Sequence, residues 1–173
     1  ADFVEQMGGG AAQGRFTGDS STWLADFVWK WAPQGNPAHQ SFKFQGEYFR
    51  REERGALTCT SAVDCATPID SSYKTRQSGW YAQGVFRFTP QWRAGLRYEQ
   101  LDSGSRDFGI NAGNLVVDSY RPKKASAMVD YSWSEFSRVR LQIAQDKSML
   151  GITDNQLTVQ YIMSLGAHGA HKF

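Results

Sequence analysis

Three groups of side chains in this 173-residue chain have types and spacing that suit chemistry. Cys59 and Cys65 are close enough in sequence to close a small disulfide ring in an oxidising compartment. A two-cysteine metal site would need further ligands, and only Asp64 is adjacent. His168 and His171 form H-x-x-H near the end of the chain, and His39 is the third histidine. On a strand, that spacing puts the two on opposite faces, so shared zinc coordination requires the strand to end before them. The alternative is two polar residues at a rim. The third group is charged: Lys30, Lys43, Glu47, Arg87, Arg93, Arg97, Glu99, Asp130, Arg138 and Arg140. It suits either a salt-bridged interior or the wall of a permeation path with a mild anion preference from its arginines. No Ser-His-Asp grouping, phosphate loop or paired-carboxylate motif occurs, so no enzyme is expected.

The elements that position the charged group follow a period of two. About seven runs alternate apolar with polar residues: 22–32, 41–52, 79–89, 91–101, 124–133, 137–146 and a last one from Leu157. In the first, Trp23, Ala25, Phe27, Trp29 and Trp31 oppose Asp26, Val28 and Lys30; in the fourth, Trp92, Ala94, Leu96 and Tyr98 oppose Arg93, Arg97 and Glu99. Charge on one face of nearly every strand suits water or a polar network and argues against a packed apolar interior. Trp29, Phe44, Phe86, Leu96, Val129, Leu141 and Val159 are expected to share the opposite face.

Connections alternate in length. Short turns (APQGNPAHQ, TPQ, WSE) follow the first, third and fifth runs, and the longer segments 55–77, 102–122 and 147–155 follow the others. Short turns at one end and long loops at the other are how outer-membrane barrels are built. Aromatics gather in two belts: Trp29, Trp31, Phe42, Phe86, Phe88, Trp92, Tyr131, Trp133, Phe136 and Phe173 toward the short turns, and Trp23, Tyr48, Trp80, Tyr98 and Tyr120 toward the long loops. Amphipathic rings favour the membrane–water interface, so two girdles imply strands that span a bilayer. The expected fold is an all-β, antiparallel up-and-down transmembrane barrel, one domain over 1–173. Its last strand is expected to pair with the first, because an open edge in lipid leaves backbone groups unpaired. Residues 1–18 read as a loop or the tail of a preceding segment, and 19–173 as strands. ADFVEQMGGG has neither the basic start nor the apolar core of a leader, which reads as a mature chain or a fragment.

The terminal strand with Phe173 last resembles the C-terminal assembly signal of bacterial outer-membrane proteins, which the barrel-assembly machinery recognises. In the usual signal an aromatic also stands two residues before the end and a glycine five before it, places held here by His171 and His168. STWLADFVWKWAPQGNP, SFKFQGEYFRREE and SLGAHGAHKF resemble the C-terminal part of a proteobacterial outer-membrane family described as zinc-regulated, TonB-dependent-receptor-like or porin-like. The resemblance implies part of a larger barrel in the bacterial outer membrane, in contact with lipid. It also implies transport of a small solute or metal ion such as zinc, and TonB-type energising partners. An odd strand count agrees with a part, since bacterial single-chain barrels have even numbers. Apart from zinc as cargo or ligand, no cofactor is expected.

Two other readings stay open: a structural or adhesive outer-membrane barrel with a closed polar lumen, and a soluble barrel that binds a ligand inside. Charge is too balanced for a nucleic-acid partner, with 19 basic against 17 acidic residues and no basic block.

Overall fold

The computed structural model describes residues 2–7, 10–59, 70–112 and 119–164. Among the described residues, eight strands form one sheet in chain order: β1 (Asp2–Met7), β2 (Gly10–Trp31), β3 (Ser41–Cys59), β4 (Asp70–Arg87), β5 (Trp92–Asp107), β6 (Lys123–Ser134), β7 (Ser137–Lys147) and β8 (Asp154–Met163). It is an up-and-down meander with antiparallel neighbours, as the alternation and the short turns require. Among the described residues, no helix is long and apolar enough to cross a membrane.

Three sequence expectations change. Residues 2–7 and 10–18 are strand, where composition predicts a loop over 1–18: β1 pairs with the start of β2, from Asp2 opposite Arg15 to Met7 opposite Gly10. Much of the segments that read as long loops is also strand, since β3 runs to Cys59, β4 begins at Asp70 and β5 runs to Asp107. The expected pairing of the last strand with the first is absent among the described residues, and the sheet keeps two edges, β1 and β8.

The chain divides into two compact units. The first comprises 1–25, 48–80 and 101–121, and the second 26–47, 81–100 and 122–173. In the first unit a small apolar cluster is buried. Leu57, Tyr73 and Phe108 form this core with Phe16 against it, and the Phe16–Tyr73 and Tyr73–Phe108 ring centroids lie 5.3 and 5.6 Å apart. Burying such a side chain contributes about 1.5–3 kcal/mol. Along β4, Ser71, Tyr73 and Thr75 are buried while Asp70, Ser72, Lys74 and Arg76 between them are exposed. Exposed Trp23 and Tyr48 meet edge to face at 5.9 Å.

Gly104 in β5 has φ +62°, and a Cβ there would collide with the Arg76 carbonyl oxygen of β4. Its N–H donates to Asp102 Oδ1 at 2.8 Å, which holds the kink. Gly104→Ala is therefore expected to destabilise by about 1–3 kcal/mol. Thermal or denaturant unfolding checks this, with Gly151→Ala as the comparison: Gly151 also has positive φ, but no atom lies within 4 Å of its Cβ position.

The second unit has the opposite polarity. Register places Ala94, Val129, Leu141 and Val159 in one cross-strand row and Leu96, Ala127, Ile143 and Leu157 in the next. Leu96, Leu157 and Val159 are 69%, 70% and 69% exposed. A chain of rings, Trp92–Tyr131–Trp133–Tyr161, crosses this face with centroid spacings of 4.8, 5.8 and 6.0 Å. Trp29 packs on Phe42 at 5.8 Å and Phe27 on Phe44 at 6.2 Å. The charged rows alternate with the apolar ones.

Candidate functional site: the charged face of the second unit

The interleaved rows carry the charged residues singled out in the sequence. Arg93 on β5, Asp130 on β6 and Arg140 on β7 stand opposite one another in a single row, because antiparallel pairing aligns Arg93 with Asp130 and Asp130 with Arg140. The Asp130 carboxylate is fully buried. Arg93 Nε donates to its Oδ2 at 2.6 Å, Arg140 Nε to Oδ1 at 2.8 Å and Arg140 Nη2 to Oδ2 at 3.1 Å. Charge-assisted bonds from two guanidiniums offset the desolvation that an isolated buried carboxylate would suffer.

Arg138 is two residues before Arg140 on the same face of β7. Its Nε is buried, and among the described residues it has no hydrogen-bond partner and Arg138 makes no ion pair. With Arg87, Arg93, Ser132, Ser134 and Ser137 it lines a cavity of about 460 Å³ near the β6–β7 turn; Glu135 is the acidic residue in that lining. Arg87 likewise has no ion pair among the described residues. Three guanidiniums thus meet one cavity, and among the described residues Arg93 is the one of the three that forms an ion pair with Asp130.

A second network crosses β3, β4 and β5. The Tyr81 hydroxyl donates to Glu47 Oε1 at 2.7 Å and accepts from Gln45 Nε2 at 3.0 Å. Gln83 Nε2 donates to Gln45 Oε1 at 3.3 Å, and Arg97 Nη1 donates to Gln83 Oε1 at 3.2 Å. Arg97 also pairs with Glu99 at 2.7 Å and lies over the Tyr81 ring, 3.9 Å from its centroid. Cation–π contact and a hydrogen bond together fix its guanidinium. Farther along the face, Lys124 Nζ bonds both Asp146 Oδ2 and Gln156 Oε1 at 3.0 Å.

The structure thus joins Arg93, Asp130 and Arg140, sets Arg138 beside them, and joins Glu47 to Arg97 and Glu99 through Tyr81 and the glutamines. Lys30 and Lys43 are exposed and make no ion pair among the described residues. Gln45, Tyr81, Gln83, Lys124 and Gln156 belong to the networks without being singled out by the sequence. The amides of Gln45, Gln83 and Gln156 and the Tyr81 phenol leave no charge signal, whereas Lys124 carries a charge and stands on the polar parity of its run, where its pairing with Asp146 depends on register.

Cys59 ends β3, and Cys65 lies outside the described residues, as do His168, His171 and Phe173. The disulfide, the assembly signal and the H-x-x-H pair therefore fall beyond what the structure describes. His39 is exposed in the first short turn. Among the described residues, no three His, Cys, Asp or Glu side chains converge as a metal group would require.

No protein-family profile matches the chain. No solved structure matches it either. It is similar to an uncharacterized protein of Aquifex aeolicus (strain VF5), with 31% identity over 147 residues that cover 79% of this chain and 28% of that protein. The chain therefore spans little more than a quarter of the length of this relative.

Proposed function

We propose that the chain is part of an outer-membrane β-barrel, a channel or receptor that carries a small solute across the membrane, with its charged face turned to the lumen. The observation that carries this reading is the polarity of the second unit: Leu96, Leu157 and Val159 are largely exposed while Asp130 is fully buried. A water-facing surface would leave a large apolar patch unpartnered and bury a charge needlessly. In a bilayer the same arrangement puts leucines in lipid and arginines along a wet path. An open edge agrees with the length of the relative: further strands would complete a barrel of which this sheet is one sector. Zinc enters as a cargo through the family resemblance alone.

The arginine excess at the cavity favours anionic solutes over cations. The intact protein in planar bilayers is expected to show a reversal potential biased toward anions, reduced in Arg138→Gln. Conductance biased toward cations, or unchanged selectivity in Arg138→Gln and Arg87→Gln together, would remove the anion path. One observation favours a second reading: Asp130 clamped between two arginines suits a packed, closed interior. Correct insertion with no conductance and no solute uptake would support that structural barrel.

A further inference from the structure

We propose that Arg50, Arg54 and Arg76 form a binding site for the phosphate of a membrane-lipid headgroup, a role that rests on the membrane reading above. Unlike the lumen arginines, these three belong to the first unit and share a strand face with interfacial aromatics. On β3 the even positions run Tyr48, Arg50, Glu52, Arg54, and on β4 they run Lys74, Arg76, Ser78, Trp80.

All three guanidiniums converge on one carboxylate. Arg50 Nη2 and Arg76 Nε each lie 2.9 Å from Glu52 Oε1, and Arg54 Nη2 lies 3.3 Å from Oε2. Glu52 gathers the arginines, yet it cancels only one of their three charges. Each guanidinium has five N–H donors and uses one or two on Glu52, so the cluster keeps donors for another oxyanion. The arginine side chains are 40%, 64% and 50% exposed, which leaves them open to a ligand. Exposed Lys74 adds a further cation on the same face of β4.

Position selects the ligand. Tyr48 precedes Arg50 by two residues on β3, and Trp80 follows Arg76 by four on β4; both rings are exposed and share the arginines' parity. Rings of this kind sit at headgroup level, so the guanidiniums lie where lipid phosphates lie. Arg forks match phosphate oxygens in pairs.

The test compares the intact protein with the variant R50Q/R54Q/R76Q in vesicles of phosphatidylcholine with or without phosphatidic acid, followed by native mass spectrometry of the retained lipid. The wild type is expected to retain phosphatidic acid over phosphatidylcholine by on the order of tenfold, and the variant to lose that preference while keeping its β circular dichroism. Equal retention by variant and wild type would overturn the site, as would displacement of the lipid by millimolar inorganic phosphate, which would assign the site to the free ion. Single R76Q, expected to weaken retention partially, covers the case in which the triple variant misfolds. A protein that inserts into bilayers but shows no headgroup preference refutes this inference alone; one that does not insert refutes the membrane reading beneath it.

Discussion

On the membrane reading proposed above, Leu96→Arg is expected to destabilise the protein in a bilayer by about 2–4 kcal/mol, the cost that a cation meets on the lipid face of a transmembrane strand. Leu96 is exposed and shares a cross-strand row with Ala127, Ile143 and Leu157, so no polar neighbour in that row can receive the guanidinium. Gln142→Lys, in the row of Gly95, Met128 and Thr158 on the other face, is expected to stay within about 1 kcal/mol. Denaturant unfolding in lipid vesicles reads both. Equal costs on the two faces would show that neither meets lipid.

Asp130→Asn is expected to cost about 3–5 kcal/mol, because it removes the charge that compensates Arg93 and Arg140 and leaves their guanidiniums, with Arg138 beside them, in mutual repulsion. The amide keeps the volume of the carboxyl, which separates the electrostatic loss from a cavity effect. A double variant, Asp130→Asn with Arg140→Gln, should recover part of the loss. Unfolding measurements on the single and double variants give the coupling directly, and the absence of recovery would mean that the pair contributes little.

The second unit was legible in the sequence because each strand there announces its two faces: Trp92, Ala94 and Leu96 against Arg93 and Arg97, or Val139, Leu141 and Ile143 against Arg138, Arg140 and Gln142. Alternation alone could not say that Arg93, Asp130 and Arg140 meet, since that depends on register, which the turns and the bulge between Ser132 and Ser134 set. The first unit was less legible. Its buried parity is written in small and polar residues as well as a ring, Ser71, Tyr73 and Thr75, and its exposed parity in Ser72, Lys74 and Arg76, so the stretch resembles a polar loop. The glycines of 8–14 hid the opening hairpin in the same way, because glycine carries no side chain to mark a face.

All six tryptophans, Trp23, Trp29, Trp31, Trp80, Trp92 and Trp133, are exposed by 40% or more. Whether this exposure faces lipid is tested most directly by tryptophan fluorescence of the intact protein in vesicles with brominated acyl chains. Strong quenching by the brominated lipid and little by aqueous iodide is the expected result; strong iodide quenching with none from the brominated chains would contradict the membrane reading.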